Sequence, residues 1–286
     1  VTTVEPDLDL LRAVLGRESA RLADALRGDA APLDRQVPGL DWTVGELASH
    51  LSSVYELFAG VVRGEHAPDA DGGATEGGEV LRETVTAANR ERVATVRFAT
   101  GDEAADVLRA GARDLLDALH PGIDLTARRA TPWYGPGATM PVGSLAALSV
   151  TESLVHGYDL DRALGRRARI ADDAAAAAVP TVMSTMMPLL FDAKRVGDRR
   201  LGFEVRIRGG RPFVLRIADG RCRAEPAGAS GSGEPVDCVI SLTGAAALHT
   251  GFSRRPLWRA MATGGAFAFG RRPWLGPTFH TLFLRV

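Results

Sequence analysis

The chain has 286 residues, 45% of them hydrophobic and 24% charged, enough apolar material for a substantial core and better suited to two modest domains than to one. Its 34 basic and 35 acidic residues leave a formal net charge of -1, so no global field draws it to nucleic acid or to an anionic membrane, and neither is an expected partner. Only two cysteines occur, Cys222 and Cys238, which argues against a disulfide framework or a cysteine-built zinc site and fits a reducing cytoplasm. Residues 1–7 lack the basic and apolar regions of a secretory signal, and no apolar run approaches the roughly 20 residues that a membrane-spanning helix needs.

Residues 8–28 carry Leu8, Leu10, Leu11, Val14, Leu15, Leu22 and Leu26 at near-helical spacing, with Gly28 as a stop. A turn over 37–42 leads to Thr43 and Glu46, the spacing of a capping box, so a second helix is expected over 43–62. Glu46 lies four residues before His50 and has the look of a ligand, but its place three residues after the cap explains it without one. Residues 63–78 are polar and glycine-rich and read as a mobile loop, with His66 and Asp69 as solvated side chains. Helical patterns follow over 79–98 and 103–119, bent near 100–102. Residues 123–141 are irregular, and Trp133 and Tyr134 there either line a pocket mouth or, the favoured reading, pack the connection onto the helices. Pro141 suits the first turn of a further helix ending near Gly165.

With the bent stretch counted as one, this is the inventory of a four-helix bundle, whose core commonly hosts metals on facing helices. An alanine-rich helix over 172–190 is expected to be broken or kinked at Pro180 and Pro188. Beyond 197 the period changes to two, with strands expected over 203–208, 213–217, 221–225 and 236–242 and turns at Gly209-Gly210 and Asp219-Gly220. Short helices over 243–250 and 256–262 complete a small α+β domain with an antiparallel sheet. The expected fold class is therefore α plus α+β: a bundle over 1–170, a linking helix over 171–199 and the small domain over 200–286.

The chemistry concentrates on the last bundle helix. Glu152 and His156 stand at i and i+4, so a carboxylate and an imidazole share one helix face. His50, on the second helix, completes a set of two histidines and one carboxylate, the donor set of a catalytic zinc site that leaves a position open. A buried, hydrogen-bonded histidine pair is the structural alternative. Leu47, Leu51 and Val54 around His50, with Leu148, Val155 and Leu160 around the other two, make these faces partly apolar, where a merely solvated pair is less expected. Asp159 is placed either to orient the His156 ring or to charge the helix surface. Arg271 and Arg272 suit a substrate carboxylate or an ordinary basic surface. His249, His280 and both cysteines read as packing residues.

The segment Trp42-Thr-Val-Gly-Glu-Leu-Ala-Ser-His-Leu51, followed by Glu152-Ser-Leu-Val-His-Gly-Tyr-Asp-Leu160 and Arg162-Ala-Leu-Gly165, resembles the mycothiol-dependent maleylpyruvate isomerase family, part of the wider DinB-like group of metal-binding bundles. The resemblance places that family's zinc ligands on His50, Glu152 and His156 and implies a C-terminal domain similar to sterol carrier proteins. It also implies a metal-dependent isomerase or thiol transferase in which mycothiol, a low-molecular-weight thiol, acts on a small organic substrate. Asp159, Arg271 and Arg272 are the expected cofactor-binding residues, and the chain is expected as a monomer or homodimer. Two further readings stand beside it: a thiol-independent, metal-dependent cyclase, isomerase or hydrolase of secondary metabolism, and a non-enzymatic ligand-binding protein with a structural metal.

Overall fold

The computed structural model describes residues 4–28, 32–65, 89–90, 93, 96–134, 137–197, 199–228 and 235–284. Its contacts divide the chain into two compact units, one formed by Asp7–Thr75 with Glu83–Ile170, the other by Ala171–Val286 with Val1–Pro6.

The first unit is the bundle. Helix α1 (Leu8–Leu26) begins where the Asp7 carboxylate accepts the Leu10 N–H, and α2 (Val44–Arg63) begins at the expected capping box. There the Thr43 hydroxyl accepts the Glu46 N–H at 3.2 Å and the Glu46 carboxylate accepts the Thr43 N–H at 2.9 Å. Gly64 ends α2 in the left-handed region, where a side chain would be strained. Helix α3 (Gly101–Ala118) is capped by Thr100, and α4 is Val142–Ala163. Helices α1 and α2 each pack on both α3 and α4, which sets α1 diagonal to α2. The helix expected over 79–98 and the loop expected over 63–78 lie largely outside the described residues.

Between α3 and α4, strands β1 (Arg128–Ala130) and β2 (Thr139–Pro141) form an antiparallel ribbon, so Pro141 closes β2 and caps α4 instead of entering its first turn. Trp133 beside this ribbon is buried, its ring 5.9 Å from that of Phe58 on α2, which is the packing role. Helix α4 departs from a one-sided stripe: every residue in it except Glu152 and Arg162 is buried. Its hydroxyls tolerate this because they bond back to the helix. Ser149 Oγ donates to the Ala146 carbonyl at 2.8 Å, Thr151 Oγ1 to Leu148 at 2.8 Å and Ser153 Oγ to Ser149 at 2.6 Å.

In the second unit α5 (Asp172–Leu189) continues through Pro180 without a break and ends one residue after Pro188. Pro180 withholds an N–H without ending the helix, which packs on α6 (Gly244–Gly251) and on strands β3 (Leu201–Ile207), β4 (Phe213–Ala218) and β5 (Arg221–Pro226). Residues assigned from sequence to a separate linking helix, 171–199, thus supply a layer of this unit. With β6 (Cys238–Leu242) and β7 (Ala266–Phe269) the sheet order is β5-β4-β3-β6-β7 among the described residues. All neighbours are antiparallel except β3 and β6, which run parallel; alternation assigns a side chain to a face and says nothing of a neighbour's direction. The Asp219-Gly220 turn joins β4 to β5 with both residues at positive φ, as a tight hairpin requires. Helix α7 (Leu257–Ala262) precedes β7. Phe203, Val205, Phe213, Leu215 and Ile217 form the core of the sheet, and Cys222 and Cys238 are buried with them. No helix among the described residues is long and apolar enough to cross a membrane.

Candidate metal centre

The capping box fixes the start of α2, and His50 follows two turns later on a face turned into the bundle. Helix α4 brings Glu152 and His156, one turn apart, to the same point. Glu152 Oε2 lies 3.2 Å from His50 Nε2 and 3.2 Å from His156 Nε2. One donor atom from each of the three lies within 4.8 Å of the others, and this is the group able to hold a metal ion among the described residues. Ligands about 2.0–2.1 Å from a tetrahedral ion stand about 3.3 Å apart, the spacing of the two nitrogen–oxygen pairs, and the three donor atoms together span no more than 4.8 Å. The imidazoles are shielded, with 4% and 7% of their side-chain surface exposed, while Glu152 keeps 19% and opens the cluster on one side.

The local charges are interdependent. Burial pushes the Glu152 carboxyl up, but hydrogen bonds from His156 and His50 outweigh it and hold the group well below the usual carboxylate range. Burial lowers the His156 imidazole, yet its contacts with Asp159 and Glu152 prevail and raise it to about 8. Asp159 Oδ2 sits 3.2 Å from His156 Nδ1 and its side chain is fully buried. That contact fixes which ring nitrogen faces Glu152, the arrangement that orients metal-bound histidines. Further along, the Tyr55 hydroxyl of α2 lies 2.7 Å from Ser153 Oγ of α4, and burial raises this phenol above its ordinary range.

Other expected residues fall elsewhere. Glu46 is spent on its cap, where the Thr43 N–H lowers its carboxyl, and Arg97 approaches it at 3.3 Å. Arg271 and Arg272 belong to the second unit and are exposed, with Arg272 Nε 3.6 Å from the Asp237 carboxylate; the three-residue cluster is complete without them. His249 is buried in α6. His66 and Asp69 lie outside the described residues. One residue of the site had no assigned role in the sequence reading: the Trp42 ring stands 4.8 Å from that of His50 and 6.0 Å from that of His156. Its place immediately before the helix cap is the local signal, since residues there fold back over the first turns.

A family model described as the mycothiol maleylpyruvate isomerase N-terminal domain matches residues 13–161, just over half of the chain. Among solved structures, a point mutant of the mycothiol-dependent maleylpyruvate isomerase is 14% identical and aligns over 94% of this chain and 95% of its own, with a TM-score of 0.50. The unsubstituted isomerase aligns over the same shares at 14% identity with a TM-score of 0.48. At that identity the first likeness speaks for the fold alone. No curated protein matches the chain in sequence.

Proposed function

Because the chain belongs to the mycothiol maleylpyruvate isomerase N-terminal domain family, we propose that it is a metal-dependent isomerase or thiol transferase using a low-molecular-weight thiol such as mycothiol on a small organic substrate. The observation that carries this reading is the convergence of His50, Glu152 and His156 from two helices, with one carboxylate oxygen 3.2 Å from both imidazoles. A divalent ion held there, for which zinc is the proposed occupant, would lower the pKa of a thiol or water bound to it. His50 and His156 present Nε2, Glu152 balances the positive charge, and Asp159 holds the His156 ring in place.

The protein's own thiols are unsuited to the reaction. Burial pushes Cys222 up to about 12 and raises Cys238, where the Asp237 carboxylate adds to the effect. Both are buried in the sheet of the second unit, which supports a reactive thiol that arrives as a separate molecule. A reducing cytoplasm suits such a cofactor. The partly exposed Glu152 favours a centre that takes a ligand over a closed structural site.

The test is metal analysis of the full chain after metal-replete expression, with turnover of maleylpyruvate in the presence and absence of mycothiol. Wild type is expected to hold stoichiometric metal and to need the thiol, and His156→Ala to lose both metal and turnover. Metal-free wild type would sink the metal reading. Undiminished turnover without thiol would sink the thiol and favour direct metal chemistry.

A further inference from the structure

Trp42 touches both histidines of the cluster from outside the two helices that carry them. Its indole is tilted 37° to the His50 ring at 4.8 Å and 41° to the His156 ring at 6.0 Å, and the imidazoles meet edge-on at 4.8 Å. These separations lie in the range where aromatic rings hold one another's orientation.

The backbone beneath the indole is tied down at both ends. The Trp42 carbonyl accepts the Val37 N–H at 2.8 Å and the Gln36 side-chain amide at 3.0 Å. Val44 N–H donates to Arg35 at 2.9 Å and Gly45 N–H to Leu33 at 2.8 Å, which fastens the loop to the start of α2. Arg35 donates to the Ala163 carbonyl at 3.1 Å and Arg162 to that of Pro38 at 3.0 Å, which fastens the same loop to the end of α4. The indole is therefore set by the two helices that supply the ligands.

We propose that Trp42 is a positioning residue of the metal centre, holding His50 and His156 with both Nε2 atoms towards Glu152 before an ion arrives. This rests on the reading of the cluster as a metal site. Side chains already ordered lose less freedom on binding, so the effect belongs in metal affinity and ligand geometry.

The experiment titrates metal-stripped full-length protein with Zn2+ against a competing chelator, records the visible spectrum of the Co2+ form, and follows thermal unfolding of the metal-free variants. Trp42→Ala and Trp42→Leu are expected to bind Zn2+ about 10-fold more weakly, the usual scale for losing a group that supports a ligand, and to change the Co2+ spectrum. Trp42→Phe, which keeps a ring, is expected to recover most of the affinity. The leucine variant keeps an apolar side chain, so it separates ring contact from loss of packing. Wild-type affinity and spectrum in folded Trp42→Leu overturn the proposal while leaving the metal site intact. Wild type that takes up no Zn2+ overturns the metal reading itself, and this inference with it.

Discussion

At the scale of single residues, the centre depends on one carboxylate oxygen shared by two imidazoles and on a second carboxylate behind one of them. His156 is raised from its ordinary 6.5 to about 8, so the metal-free fold holds a proton there across neutral pH. That proton stabilises the metal-free fold fully below about pH 6.5 and ceases to as pH rises through about 8. A metal must displace it, so apparent Zn2+ affinity should climb about tenfold per pH unit from 6.5 to 8 and then flatten. Chelator competition at stepped pH measures this, and a flat profile over that interval would show that His156 is not the proton-bearing ligand. Asp159→Asn keeps a hydrogen-bonding group but removes the charge: the His156 pKa should fall, and Zn2+ affinity should drop about 10-fold. Histidine NMR titration of the metal-free variant reads the first effect directly; an unmoved His156 resonance profile would assign the raised value to Glu152 alone. The pairing of Glu152 with His156 was legible because helical periodicity brings i and i+4 together, whereas His50, about a hundred residues away, was reached through its apolar setting and the family resemblance; Asp159 lies in contact with the His156 ring. Trp42 was not legible, because its target depends on the path of the loop over 33–43, which no periodicity encodes.

At the scale of elements, α2 and α4 must keep their register for the ligands to meet. Below the cluster the fully buried Tyr55 bridges them through Ser153, whose hydroxyl also donates to the Ser149 carbonyl. Tyr55→Phe should therefore cost about 1 kcal/mol, the net value of one buried hydrogen bond, since Ser153 keeps its own acceptor. Urea unfolding of the metal-free protein reads that loss; stability equal to wild type would mean the bridge contributes nothing. The bundle helices were readable from apolar spacing and from the Thr43 and Glu46 capping box. The nearly complete burial of α4 was not, because Ser149, Thr151 and Ser153 look polar in sequence and satisfy themselves against their own backbone. In the second unit the strands over 201–242 announced themselves by alternation. Strand β7 escaped, being only four residues that alternate alanine and phenylalanine close to glycines.

At the scale of the whole molecule, the candidate metal ligands and the two cysteines belong to different units. His50, Glu152 and His156 all lie within Asp7–Thr75 and Glu83–Ile170, whereas Cys222 and Cys238 lie within Ala171–Val286, a unit that shows no metal-capable cluster among its described residues. An ion that binds only the folded bundle stabilises only the bundle by mass action, about 2.7 kcal/mol at a free concentration 100 times its dissociation constant. For a unit of this size that corresponds to a rise of about 5–10 °C in its transition. Calorimetry of the full chain with Zn2+ added to the stripped protein should therefore move one transition and leave the other where it was. Near-UV circular dichroism helps to assign them, because Trp42 and Trp133 report the bundle and Trp258 and Trp274 the sheet unit. Equal shifts in both would show that the ion binds outside the bundle or that the two units unfold as one body. A further arm separates these outcomes: in Glu152→Gln the Zn2+-dependent shift should collapse, because two imidazoles without the shared carboxylate retain the geometry but not the charge that holds a divalent ion.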